Sequence, residues 1–123
     1  MSINQGDIFW AEPVSKATKT GEQYGPRPYI VMSRQSINAI SPTAVVVPTT
    51  SKTGKQNQYF RIIIPQTEMV KEIGCQRVLV DSVALCDMVR VVDQSILIEK
   101  VGKLTHTAVL AVQLGLSFLF NLP

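Results

Sequence analysis

Gly21-Glu22-Gln23-Tyr24-Gly25-Pro26-Arg27-Pro28 runs directly into Tyr29-Ile30-Val31-Met32. Two glycines and two prolines in eight residues oppose both helix and strand, so the first part reads as a loop. The apolar run after it reads as a strand, Tyr29 to Ser33. Pro28 disfavours the α region at the preceding residue, which sets Arg27 extended where the strand begins. A carboxylate (Glu22) and a guanidinium (Arg27) therefore share a short loop at a strand edge. Two readings stand side by side. Either the loop is a solvated surface turn whose charges pair weakly, or the fixed planar guanidinium binds a phosphodiester.

The same punctuation recurs on both sides. Asp7-Ile8-Phe9-Trp10-Ala11-Glu12, between Gly6 and Pro13, reads as a first strand, with Trp10 packed in the core rather than stacked on a base. The polar stretch from Val14 to Gly25 is long enough to be a functional loop. Arg34 to Asn38 forms a turn or short helix capped by Ser33. Thr43 to Pro48 is a β-branched third strand, buried on both faces, that ends in Thr49-Thr50-Ser51. Those hydroxyls either close their own turn or donate to a phosphate oxygen. Lys52 to Gln58 is a basic loop without apolar residues, either a solvated tip or a contact for an RNA backbone.

Phe60 to Ile64 reads as a fourth strand stopped by Pro65, and Glu68 to Cys75 as a loop with one helical turn. Arg77-Val78-Leu79-Val80 and Val83-Ala84-Leu85-Cys86 are short apolar runs leading to Asp87-Met88-Val89-Arg90. Asp93 suits the N-cap of a small helix over Gln94 to Leu97, and Glu99 to Leu104 returns as a last strand. Thr105 suits the N-cap of a final helix from His106 to about Phe120. That helix is apolar nearly all round, which implies burial on more than one side: one against the sheet, another against a second subunit. Gly115 would let backbones approach closely. Five or six short, mostly antiparallel strands followed by a helix describe a small, strongly bent sheet or barrel with helical cover, in one domain over residues 1–123.

Composition agrees with a globular domain, at 46% hydrophobic and 17% charged residues. A net charge of +3 permits an anionic partner without requiring one, and the basic residues form no tail. Cys75 and Cys86 are too few for a disulfide framework, and the single histidine, His106, excludes a multi-histidine metal centre. The first residues lack the basic and apolar regions of a signal peptide, and the apolar stretch from Ala108 falls short of the ~20 residues that span a bilayer. A cytoplasmic protein with reduced thiols, no membrane segment and no metal is expected.

Four segments in order resemble the MazF/PemK (Kid) toxins of bacterial type II toxin–antitoxin systems. Gly6-Asp7-Ile8-Phe9-Trp10 is similar to that family's opening strand, and Gly21 to Pro28 to its EQxGxRP loop. Val46-Val47-Pro48-Thr49-Thr50-Ser51 resembles its VVPxTS strand end, and Ser82 to Asp93 its VxxDQxRTID segment. The resemblance implies an SH3-like barrel with helical additions, a homodimer, and a metal- and cofactor-independent endoribonuclease that selects sequences in single-stranded RNA or mRNA. It implies attack of a ribose 2′-hydroxyl on the adjacent phosphate, leaving a 2′,3′-cyclic phosphate and a 5′-hydroxyl. It also implies an antitoxin whose C-terminal tail occupies the RNA groove, and a toxin–antitoxin complex that binds operator DNA.

On the same resemblance, Arg27 matches the family arginine that holds the phosphate, and Thr50 the threonine that donates to it. Glu22 matches an acidic position that acts as acid or base in some members, and Asp87 an aspartate used as an acid in others. Gln23, Tyr24, Thr49, Ser51, Lys52, Lys55 and Arg90 are the accompanying RNA-binding candidates. Three positions depart from the pattern: Gly21 where many members have serine or histidine, Leu85 where some have arginine, and Met88 where glutamine is usual. Two other functions stay open. One is a CcdB-like poison of DNA gyrase, which needs a protein surface rather than Arg27 with Thr50. The other is a weakened nuclease retained as an antitoxin-binding regulator.

Overall fold

A computed structural model describes residues 2–12, 25–52 and 59–123. Eight strands lie in it: β1 Asp7–Ala11, β2 Arg27–Val31, β3 Thr43–Thr50, β4 Arg61–Ile64, β5 Met69–Lys71, β6 Ser82–Leu85, β7 Arg90–Asp93 and β8 Leu97–Leu104. Two α-helices accompany them, α1 Gln35–Asn38 and α2 His106–Phe120, with single 3₁₀ turns at Gln66–Glu68, Cys86–Met88 and Gln94–Ile96. The sheet order is β4-β6-β3-β2-β1-β8-β5, and every pairing is antiparallel.

The sheet curls because β3 serves two partners along one edge. Its first half pairs with β7 through Val46↔Arg90, and its end pairs with β6 through Thr49↔Ala84 and Thr50↔Val83. Pro48 falls in the gap between them, where its missing N–H removes no ladder bond on that edge. Alternation along β1, β2 and β3 then fills two cores. Ile8, Ile30 and Val47 face Ile64, Ala84, Val101 and the α2 residues Ala108 and Val112. Phe9, Tyr29, Val31 and Val46 face the other way, onto Val92 and Leu97. The expected architecture, a mainly antiparallel bent sheet with a C-terminal helix, is the one found, with β3 buried on both faces.

Several local expectations give way. Among the described residues the strands number eight, not five or six. β5 occupies part of the span from Glu68 to Cys75 read as a loop, and three residues are too few to display alternation. A signal for it existed in Gly102, where a Cβ would lie 2.5 Å from the Val70 carbonyl oxygen; an isolated strand glycine marks such a close backbone approach. β8 begins two residues earlier than expected, at Leu97; of the two short apolar runs, the one at Ser82–Leu85 forms a strand and Arg77 to Val80 does not. Ser33 does not cap α1: the N-cap is Arg34, and Ser33 Oγ instead donates to Asn38 Oδ1 and accepts from Val45 N–H.

The caps of the last elements are as read. Asp93 accepts from Ser95 N–H and Thr105 from Ala108 N–H. Within the chain, however, α2 is buried on one side only, through Ala108, Val112 and Gly115, while Leu110, Leu114 and Phe118 are exposed. Gly115 serves the intramolecular contact: a Cβ there would lie 2.9 Å from Cys86 Sγ and 3.0 Å from Ile62 Cγ1. No helix among the described residues is long and apolar enough to cross a membrane.

Candidate active-site groove

Antiparallel pairing of β2 with β3, with Tyr29 opposite Pro48, sets the start of one strand beside the end of the other. Arg27 and Thr50 meet for that reason. An open groove of about 430 Å³ crosses this junction, lined by Trp10, residues 26–28, residues 49–52 and, on the facing wall, Val78, Val80 and Ser82.

Arg27 is held by two carbonyls, donating from Nε to Gly25 at 3.2 Å and from Nη1 to Thr49 at 3.2 Å. Among the described residues its Nη2 makes no hydrogen bond, leaving donors for an anion. Thr49 is buried and donates its hydroxyl to the Pro28 carbonyl at 2.8 Å, so it fastens β3 to β2 and has no proton to offer a ligand. Thr50 Oγ1 accepts from Lys52 N–H at 3.2 Å, and among the described residues its hydroxyl hydrogen has no acceptor. Ser51 and Lys52 are exposed at the rim. The described lining carries two cations, Arg27 and Lys52, and no carboxylate, a balance suited to a phosphodiester.

Asp87 is not part of this lining. It sits on the 3₁₀ turn Cys86–Met88 and takes a two-point pair from Arg61, Nε to Oδ1 at 3.2 Å and Nη2 to Oδ2 at 2.9 Å. Arg61 stands opposite Leu85 in the β4–β6 ladder, so an arginine reaches this aspartate from the neighbouring strand rather than from position 85. Arg90 borders a different, mostly apolar hollow of about 390 Å³ with Met32, Leu116 and Phe120. Glu22, Gln23, Tyr24 and Lys55, together with Gly21, lie outside the described residues. His106 is exposed at the start of α2. Among the described residues no three His, Cys, Asp or Glu side chains gather where they could hold a metal ion.

Sequence reasoning missed three contributors. Trp10 packs against the core as expected, yet it is only partly buried and also forms groove wall, with the Arg77 guanidinium 3.9 Å from its ring centroid. Val78, 76% exposed, completes that wall, and only its place in an apolar run beside an arginine hinted at it. Tyr29 is fully buried: burial pushes its phenol above the ordinary value, while the charges of Arg90 and Arg27 pull it back. It thus stands within electrostatic reach of both arginines.

The family described as PemK-like, MazF-like toxin of type II toxin-antitoxin system has a model that matches residues 4–120. The chain belongs to this family. Endoribonuclease EndoA of Bacillus subtilis (strain 168) is 31% identical over 106 residues, covering 85% of this chain and 82% of the relative. MazF (Form-I) from Deinococcus radiodurans superposes with a TM-score of 0.76 at 21% identity, covering 99% of each chain. The MazE-MazF (Form-II) structure from the same organism gives 0.70 at 21% identity over 100% of this chain and 99% of that one. None of these relatives of the family carries the gyrase-poison reading.

Proposed function

We propose that this MazF/PemK-family chain is the toxin of a type II toxin–antitoxin pair and an endoribonuclease acting on single-stranded RNA in the cytoplasm. The observation that carries the reading is Arg27, fixed by two backbone carbonyls beside the Thr50 hydroxyl in a groove of positive charge. Kinship with an endoribonuclease supports it.

The chemistry follows from the groups. The ribose 2′-oxygen attacks phosphorus, the P–O5′ bond breaks, and the products are a 2′,3′-cyclic phosphate and a 5′-hydroxyl. Negative charge grows on the non-bridging oxygens of the phosphorane, where the remaining Arg27 N–H groups and the Thr50 hydroxyl hydrogen are available to bind it. Such donors stabilise the transition state most when they do not reorganise, and Arg27 is anchored before substrate arrives. A group must also take the 2′-proton and another return a proton to O5′. Glu22 is the carboxylate assigned to this exchange. Asp87, with both oxygens engaged by Arg61, is given the lesser part of stabilising that turn. Lys52, Ser51 and Lys55 bind flanking phosphates.

A homodimer fits the exposed apolar side of α2, where Leu110, Leu114 and Phe118 stay 46%, 70% and 55% exposed. An antitoxin tail would block the groove by the same anion-binding donors, as kinship with a family known for toxin–antitoxin pairs supports. Purified protein incubated with a long single-stranded RNA in EDTA tests the reading. Cleavage with cyclic-phosphate ends, abolished by Arg27→Ala in a folded protein, is expected. Intact RNA alongside tight antitoxin binding would instead mark a regulator that has lost its nuclease.

A further inference from the structure

A second cleft of about 260 Å³ adjoins the Arg27 groove and shares Trp10, Pro28 and Val78 with it. Its distinguishing members are stacked: the Arg77 guanidinium lies 3.9 Å from the centroid of the Trp10 ring. Glu99 fixes that plane, accepting from Arg77 Nε at 2.8 Å. The Arg77 side chain keeps 40% of its surface exposed, so it is reachable from solvent. Beside it, Val78 is 76% exposed, a high value for an apolar side chain in a cleft wall. Beneath, Trp10 Nε1 is buried with no acceptor among the described residues.

We propose that Trp10, Arg77 and Val78 form a nucleobase subsite that sets which base flanks the cut; this rests on the ribonuclease reading above. A flat guanidinium backed by an aromatic ring is a stacking platform for an unpaired base, and Val78 supplies apolar edge contact. Arg77 lines this second cleft and not the Arg27 groove, and Glu99 ties it to β8. Its role is therefore specificity, not turnover. A platform held by an ion pair is also pre-organised, so the base pays little to order it.

Trp10 is the chain's only tryptophan, so its fluorescence reports the subsite directly. The probe is a single-stranded all-deoxy oligonucleotide, which lacks the 2′-hydroxyl and stays uncut. With it, wild-type protein should show saturable quenching, and Arg77→Ala should lose most of that response. Cut-site mapping on a long RNA should show a preference at one nucleotide beside the cut that both Arg77→Ala and Arg77→Lys flatten. Stacking of this kind predicts that KM rises about tenfold, well beyond any fall in kcat. Urea midpoints near the wild-type value establish that both variants are folded. Unchanged cut-site profiles and quenching in both variants would overturn the subsite. So would full recovery in Arg77→Lys, which keeps the charge without the plane. If wild-type protein cuts no RNA, the ribonuclease reading fails by itself, and the fluorescence titration still decides the subsite.

Discussion

Arg27 Nη1 donates to the carbonyl oxygen of Thr49 at 3.2 Å, tying the guanidinium to the strand end that carries Thr50. A second bond, from Nε to the Gly25 carbonyl, fixes the plane of the fork. Both groups proposed to meet the phosphate are therefore set by β2 and β3, elements of the sheet itself. A site borne on strands holds its geometry better than one borne on a mobile segment.

This anchoring predicts that Arg27→Lys fails almost as badly as Arg27→Ala. An ammonium cannot make two in-plane carbonyl bonds and still present a flat pair of donors. Loss of a pre-organised donor of this class lowers kcat by about 10²–10³. Single-turnover cleavage with urea unfolding checks it. Near-wild-type turnover in the lysine variant would show that charge alone suffices.

Neighbouring threonines should separate cleanly. Thr49 spends its hydroxyl on the Pro28 carbonyl in a buried position, so Thr49→Val should cost stability, about 1–2 kcal/mol. Thr50 is only half-buried and its hydroxyl hydrogen has no acceptor among the described residues, so Thr50→Val should leave the urea midpoint in place and lower the cleavage rate. The opposite pattern would reverse the two roles.

Much of this was legible in the sequence, and the gaps have physical causes. Strand cores, the Thr105 and Asp93 caps and the end of α2 follow from local chemistry, and local chemistry is what a sequence displays. The Arg27–Thr50 meeting was legible only through family resemblance, because strand register is a non-local fact. The ion-pair partner of Asp87 was hidden for the same reason: Arg61 comes from another strand. Ser33 looked like a cap, yet the tertiary bonds to Asn38 and Val45 claimed its hydroxyl. Trp10 sits on a strand whose pattern reads as core, and only the course of the chain at residues 77–80 turns its ring into a wall. The apolar circumference of α2 foretold two buried sides, but one chain can cover only one.

Gly115→Ala pits two local effects against each other. Alanine favours the helix by about 1 kcal/mol over glycine. Its Cβ, however, would sit 2.9 Å from Cys86 Sγ and 3.0 Å from Ile62 Cγ1, and overpacking of that kind costs about 1–3 kcal/mol. The variant should therefore be net destabilised. Combining it with Ile62→Val, which removes the Cδ1 that would lie 3.2 Å from the new Cβ, should recover some of the loss. A rise in Tm for the single variant would mean that α2 can shift outward freely.

Cys86 carries the clearest pH signature. Burial, aided by the adjacent Asp87 charge, pushes its thiol from 9.0 to about 12. The fold thus favours the protonated thiol, and the unfolded chain releases that proton at lower pH. The stabilising contribution is fully present below about pH 9 and is lost as pH rises toward about 12. Cys86→Ala should start from a lower urea midpoint, since the thiol packs against α2 near the Val112 carbonyl, but its midpoint should fall less steeply across that window. In native protein at pH 8 the thiol should also resist iodoacetamide, because the reactive thiolate is scarce and buried. Parallel pH slopes for the two proteins, or rapid native-state alkylation at Cys86 by peptide mass mapping, would place this thiol in a far wetter site than the contact between α2 and the Cys86–Met88 turn allows.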